Sequence, residues 1–271
     1  MLTGITTAFD VSVPFPEMIP MIAAAGFEAV SLSSVRSHLN YESQDAQKQA
    51  MALTSRHGLV IESIHAAWRT EIGALDEATR RREIDDIRAA IRAARAMGVE
   101  LVIVHAGWGS QDDGIHERMT SVALDSMAEL SECALANDVR LAIENLQGSR
   151  SRMLTKSILA AFPQRQVGFC HDTGHEHCTL DCFKALEECG ERLIATHVHD
   201  DTGHGRDDHL LPHEGMIDWG RYASLMGRLD YSGCLLIEAV RNKTDGFLSP
   251  REFLREAKKR ADGLVRAIHM V

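Results

Sequence analysis

At 271 residues, with 45% hydrophobic and 25% charged side chains, the chain can bury one large core, which excludes an intrinsically disordered protein. A formal charge of −10, from 39 acidic against 29 basic residues, sets an average field that repels DNA and acidic membrane surfaces. No apolar run approaches the roughly 18 residues needed to cross a bilayer, and the opening MLTGITTAFDVSV lacks a signal peptide's charged-then-apolar layout, so the cytoplasm is the expected compartment.

Along the chain, short β-like runs alternate with longer amphipathic helical stretches, the pattern of parallel βα units. The first two strands are expected at residues 3–9 (TGITTAF) and 27–33 (FEAVSLS). A third, 59–65 (LVIESIH), ends in His65. In the helix that follows, Ile84, Ile87, Ile91 and Ala94 form one apolar stripe and Gly98 closes it. Strand four, 101–105 (LVIVH), ends in His105 and runs into the polar loop GWGSQDDGIHE. Strand five, 139–144 (VRLAIE), ends in Glu144, and strand six, 167–172 (VGFCHD), ends in Asp172 with His175 three residues on. Strand seven, 193–199 (LIATHVH), ends in His199 and leads into DDTGHGRDDHLLPHEG, which carries Asp207 and His209. Strand eight, 233–238 (GCLLIE), ends in Glu238. The last helix opens on Ser249-Pro250-Arg251-Glu252, a capping box with proline in its first turn, and buries Phe253, Ala257, Ala261, Leu264 and Ile268. Eight units with no linker or composition shift predict a (β/α)8 TIM barrel, a single domain spanning residues 1–271.

Strands three to eight thus end in His65, His105, Glu144, Asp172, His199 and Glu238. In a parallel barrel these ends converge on one rim, where active sites are built. Carboxylates gathered there repel one another unless a cation sits among them. Imidazole and carboxylate donors suit manganese, zinc, cobalt or magnesium. One ion is expected, and His65, His105, His175, Asp207 and His209 are candidates for a second or third ion or for orienting ligands and substrate. His197 shares a strand face with His199, so either is a candidate ligand; His199, nearer the strand end, is preferred. His38, His57, His116, His177, His204 and His269 fall at expected surface or loop positions.

Glu144 and Glu238 stand on strands five and eight, across the mouth from each other. Such a pair can move a proton beside a carbonyl while a metal stabilises the adjacent oxygen. Trp68, Trp108 and Trp219 are candidates to line a sugar site, and Arg241 and Lys243 to bind an anionic substrate group. The chain carries no GxGxxG, GxxxxGK[ST] or GxSxG motif. Its six cysteines, Cys133, Cys170, Cys178, Cys182, Cys189 and Cys234, include no CxxC pair and are expected as free thiols, with Cys178 and Cys182 one helical turn apart.

The segments LVIVHAGWG (101–109), LAIENL (141–146), VGFCHDTGHEH (167–177), THVHDDTGHGRDDHLLPHEGMIDW (196–219) and LLIEAVR (235–241) resemble the xylose isomerase-like TIM-barrel superfamily over essentially the whole chain. The resemblance is to its sugar phosphate isomerase and epimerase group, which shares the barrel with endonuclease-IV-type enzymes. In the isomerases and epimerases it implies one metal on Glu144, Asp172, His199 and Glu238, the two glutamates serving as acid and base. It also implies substrate contacts from His175 and, in the strand-seven loop, Arg206, beside Trp108 and Arg241 from the residue reading. In the endonuclease branch three zinc ions take further ligands, matched by His65, His105, His175, Asp207 and His209. That branch has an asparagine and a lysine after its strand-seven histidine, where this chain reads His199-Asp200-Asp201-Thr202, and members of the group have glycine where His213 stands.

The expected activity is therefore metal-dependent isomerisation or epimerisation of a small, possibly phosphorylated, sugar or polyol derivative. The alternatives are a multi-zinc phosphodiester hydrolase, a keto-inositol dehydratase and a non-catalytic sugar-binding barrel. A small carbohydrate is the expected partner, with no nucleic acid and no membrane, and a homodimer the expected assembly.

Overall fold

The computed structural model describes residues 1–69, 71–179, 182–241 and 248–271. Eight parallel strands close in chain order: β1 (Leu2–Thr6), β2 (Ala29–Leu32), β3 (Val60–His65), β4 (Leu101–His105), β5 (Arg140–Glu144), β6 (Val167–Asp172), β7 (Leu193–Val198) and β8 (Cys234–Ile237). Closure comes from β8 pairing back on β1, from Leu2 against Cys234 to Ile5 against Ile237. Around them lie α1 (Phe15–Ala24), α2 (Gln44–Arg56), α3 (Glu77–Met97), α4 (Asp113–Ala136), α5 (Gly148–Ala161), the short α6 (Thr173–His177), α7 (Lys184–Cys189), α8 (Trp219–Met226) and α9 (Pro250–His269). Every strand is followed by a helix, and β6 by two. This is the TIM barrel the alternating pattern predicts.

The strands read as near-continuous apolar runs because both faces are buried. Leu101, Ile103, Ala142, Cys170 and Ala195 fill the barrel interior. Val102, Val104, Leu141 and Ile143 face outward into a second core shared with Ile87 and Ile91 of α3 and Ile158 of α5. Local signals set the helix ends. The Asp76 side chain accepts from Thr79 N at the start of α3, and Gly98 ends that helix at φ +68°, a left-handed conformation that favours glycine. Ser249 and Glu252 form the reciprocal capping box of α9.

The first expected strand, 3–9, overruns the real one. The Thr6 hydroxyl accepts from Ala8 N at 3.2 Å and turns the chain into a short 3₁₀ segment at Thr7–Asp10, so β1 stops at Thr6. His199 and Glu238 likewise lie one residue beyond β7 and β8. All six cysteines are free, with Cys170, Cys178, Cys189 and Cys234 buried. Among the described residues no helix is long and apolar enough to cross a membrane.

Candidate active site

The ends of β3 to β8 meet around Glu144, which is fully buried. One of its oxygens, Oε2, lies 3.2 Å from His105 Nε2, 3.3 Å from His65 Nε2 and 3.2 Å from His197 Nδ1. The other, Oε1, is 3.2 Å from His175 Nδ1 but has no hydrogen-bond partner, while that ring nitrogen lies 3.0 Å from the Asn145 carbonyl. Asp172 and His199 are buried beside it, His199 Nε2 standing 3.1 Å from both Asp172 oxygens. Glu238 Oε2 reaches to 3.1 Å from the same His197 Nδ1 that touches Glu144. Asp207 completes the ring, with Oδ2 2.9 Å from His209 Nε2 and 3.4 Å from His175 Nε2. All the strand-end residues singled out in the sequence therefore come together, as do His175, Asp207 and His209.

Several imidazoles are held in the orientation that ligation needs. His65 Nδ1 lies 2.7 Å from the Ala66 carbonyl, His105 Nδ1 2.5 Å from the Trp68 carbonyl and His209 Nδ1 2.8 Å from the Glu238 carbonyl. A carbonyl only accepts, so each Nδ1 carries a proton, and each Nε2 is the nitrogen turned toward the carboxylates, where it can ligate an ion once its own proton is displaced. Gly174 makes room for this packing, since a Cβ there would run into the His199 ring. Asn145 locks two ligand-bearing strands together: its side chain donates to the Asp172 carbonyl and accepts from Asp172 N, both at 2.9 Å.

Charge balance at the site is tight. Burial alone would raise the Glu144 pKa, but the imidazoles of His197 and His105 outweigh it and hold the carboxyl well below its usual range. Glu238 is lowered in the same way, burial being opposed mainly by His197. Burial would depress the His199 pKa, yet Asp172 and Asp207 lift it to about 9. Burial likewise opposes the rise of His175, which Asp172 and Asp207 drive, and of His197, which Cys170, Glu238 and Glu144 drive, and both pKa values end well above the ordinary imidazole value.

Donor atoms close enough to share an ion, all within 4.8 Å of one another, occur in His65, His105 and Glu144, in His175, Asp207 and His209, and in His199, His209 and Glu238. Glu144 Oε1, buried without a hydrogen bond and with only His175 Nδ1 beside it, and the mixed carboxylate and imidazole donors fit a borderline divalent cation. Above them opens a cavity of about 230 Å³, whose floor includes His65, His105, Glu144, His175 and Glu238 and whose walls include Thr6, Ser33, Ser34, Trp68 and Val240.

The loop after β7 is anchored by Asp200, whose fully buried carboxylate accepts from the backbone N–H groups of Asp201, His213 and Ile217 and from Trp219 Nε1, at 2.8–3.1 Å. Asp200 also pairs by backbone with Leu210 in both directions. That frame carries Asp207 and His209 to the site. His213 sits at φ +73°, in the left-handed region that favours glycine.

Other expected contacts fall elsewhere. Arg206 is 75% exposed and lies 3.6 Å from Asp208, outside the cavity wall. Trp108 donates its indole N–H to Gln147 at 3.0 Å, and it is Trp68 that borders the cavity, while Trp219 is buried against Asp200. Arg241 Nε donates to Asp10 at 2.6 Å and its Nη1 to the Leu248 carbonyl, so its guanidinium ties the end of β8 to the turn after β1. Lys243 lies outside the described residues. His116 and His177 are buried, contrary to the expected surface placement: His116 packs on the Gly109 backbone, and His177 Nδ1 lies 3.9 Å from Asp201. Sequence reading passed over Asn145, although it directly follows Glu144, and gave Asp200 no role of its own.

A family model described as "Xylose isomerase-like TIM barrel" matches residues 19–258. Among curated relatives, the "Uncharacterized protein y4fM" of Sinorhizobium fredii is 33% identical over 110 residues, a match to 39% of this chain and about a third (35%) of that relative's length. A protein of Streptomyces avermitilis named "Probable endonuclease 4" is 28% identical over 225 residues, 72% of this chain and 70% of that one. Among solved structures, a D-tagatose 3-epimerase-like protein superposes with a TM-score of 0.82 at 20% identity, over 100% of this chain and 99% of that one. The IOLI protein, solved with a zinc atom, gives 0.79 at 16% identity over 100% and 99%.

Proposed function

We propose that this chain, which belongs to the xylose isomerase-like TIM barrel family, is a divalent-metal-dependent isomerase or epimerase of a small carbohydrate or polyol derivative. The observation that carries this reading is the convergence of Glu144 and Glu238 on one cavity, each about 3 Å from the same His197 nitrogen. Glu144, Asp172, His199 and Glu238 would hold a manganese, zinc, cobalt or magnesium ion, which when bound supplies Lewis-acid stabilisation of the oxygens beside the reacting carbon. Both carboxyls are held ionised by their imidazole neighbours, so either can accept a proton from the substrate carbon. The glutamate that took the proton can return it to the same face, whereas delivery to the opposite face would require its partner first to take a proton from solvent. That a D-tagatose 3-epimerase-like protein shares the fold is in keeping with this chemistry.

Solvent exchange tests it. A ketose or keto-cyclitol substrate turned over in deuterated water should gain deuterium at the carbon next to the carbonyl. Glu238→Gln keeps an oxygen donor but loses the base, so turnover should fall by about 10²–10⁴-fold while metal is retained. Near-normal turnover in that variant would leave Glu238 as a ligand alone.

A second reading, a multi-ion phosphodiester hydrolase, is favoured by the two further ligand clusters, His65/His105/Glu144 and His175/Asp207/His209. The relative named as an endonuclease points the same way. Against it, a charge of −10 ill suits a surface that must hold duplex DNA. Elemental analysis giving one ion per chain supports the isomerase reading. Three ions, with efficient incision of an abasic duplex at physiological salt, would replace it by the hydrolase.

A further inference from the structure

The walls of the cavity are chemically unequal. Its floor holds the imidazoles and carboxylates, and one side is a lip of small hydroxyls, Thr6, Ser33 and Ser34, from the ends of β1 and β2. Trp68, from the loop after β3, supplies the large aromatic surface. Its indole is 49% exposed although it borders the most polar part of the molecule. The Arg69 guanidinium lies over the ring, its carbon 4.3 Å from the ring centroid, and so occupies one face. The Trp68 carbonyl lies 2.5 Å from His105 Nδ1, so the backbone that bears this indole is tied to the floor of the site. A half-exposed tryptophan fixed at the edge of a polar cavity, with one face covered, offers its other face to a flat, weakly apolar surface. Among the described residues that line the cavity none is a lysine or arginine.

We propose that Trp68 is the specificity wall of the site, stacking on the C–H face of a cyclic substrate that carries a carbonyl, a keto-pyranoside or keto-cyclitol, while its oxygens face the floor and the hydroxyl lip. This rests on the carbohydrate reading above and narrows it to a ring-bearing substrate. The ring's hydroxyl-poor face loses water against the indole, and its equatorial oxygens point toward Thr6, Ser33 and Ser34. Discrimination against an open-chain polyol follows, because a flexible chain must lose rotational freedom to present a comparable flat face.

The test uses the full-length, metal-loaded protein and three non-reacting probes: methyl β-D-glucopyranoside, myo-inositol and the acyclic sorbitol. Tryptophan fluorescence should respond to at least one ring probe, and calorimetry should give sorbitol a weaker affinity. Trp68→Phe should keep the affinity within about threefold while losing the fluorescence response, since a ring remains but the reporter is gone. Trp68→Ala should weaken ring-probe binding by about tenfold or more and leave metal content unchanged. Equal affinity of wild type and Trp68→Ala for a ring probe would overturn the role of Trp68 and leave the isomerase reading standing. Wild-type protein that binds none of the probes by calorimetry would overturn both.

Discussion

The mouth of the barrel has two halves built on the same backbone. The strands β3 to β8 deliver His65, His105, Glu144, Asp172, His199 and Glu238, whereas β1 and β2 deliver Thr6 and Ser33 and no ionisable group of their own. Strand pairing runs unbroken around both, including the β1–β8 and β1–β2 ladders. The contrast shows that the scaffold is indifferent to the chemistry, and that side chains at the strand ends and in the loops that follow them decide which arc of the rim holds charge. On the proposed reading it also divides the work: the charged arc would bind the cation and move protons, and the neutral arc would shape the space above it.

The strongest way to break this division is Asp172→Ala. Asp172 accepts from His175 N at 2.6 Å and faces His199 at 3.1 Å, so its loss removes one donor and loosens two imidazoles. Elemental analysis should find the ion proposed for Glu144, Asp172, His199 and Glu238 gone, and turnover should drop at least about 10³-fold, the several kcal/mol that a Lewis acid contributes. Asp172→Asn, which keeps the shape, should also lose most of the metal. Full metal content in both variants would move the cation away from this arc.

Much of the charged arc was legible in the sequence because each βα unit announces its own strand. Runs such as LVIVH and VGFCHD are apolar on both faces and stop at a polar residue, and parallel closure then sends every such residue to one rim. What stayed hidden depends on loops and on contacts between distant elements. His197 was visible as a neighbour of His199, but its position between Glu144 and Glu238 arises only when β5, β7 and β8 close together. Asp200 reads as one more acid in an acidic loop, yet its four donors come from as far as Trp219. Which indole faces the cavity, Trp68 or Trp108, is set by two loop conformations rather than by any periodicity. Arg241 was read as an anion site because nothing in the sequence links it to Asp10, 231 residues away.

A pH series sharpens the comparison, because the ionisable arc must respond and the neutral arc cannot. In the metal-free protein the His199 pKa is about 9, burial being outweighed by Asp172 and Asp207. A raised imidazole pKa contributes stability that is fully present below the unfolded value of roughly 6.5 and is lost as pH rises through about 9. A metal needs the deprotonated ring, so its apparent affinity should climb about tenfold per pH unit for each proton displaced across that window, then level off above it. Thermal unfolding at pH 6, 7, 8 and 9, with and without added divalent ion, should therefore show the metal-free midpoint falling while the metal-induced gain widens. A gain that does not change between pH 6 and 9 would mean that no proton is displaced, and that the histidines of this arc are not the ligands.

The smallest effect is expected on the neutral arc, and it is the more exacting test because it asks a cavity-lining residue to do little. Ser33 is buried at the lip, where its backbone N–H donates to the Thr7 hydroxyl at 2.9 Å and its own hydroxyl accepts from Val35 N at a long 3.4 Å. Ser33→Ala leaves the first bond untouched and removes only the weaker second one, so stability should fall by no more than about 1 kcal/mol. Metal content should be unchanged, since no donor atom of the charged arc is altered. If the hydroxyl meets substrate equally in ground and transition states, its removal should raise KM by a few fold at constant kcat, the mark of uniform binding. A kcat loss comparable to that of Glu238→Gln would place Ser33 in the chemistry and erase the boundary between the two arcs. Unchanged KM and kcat together would instead narrow the substrate's footprint to the side of the cavity walled by Trp68.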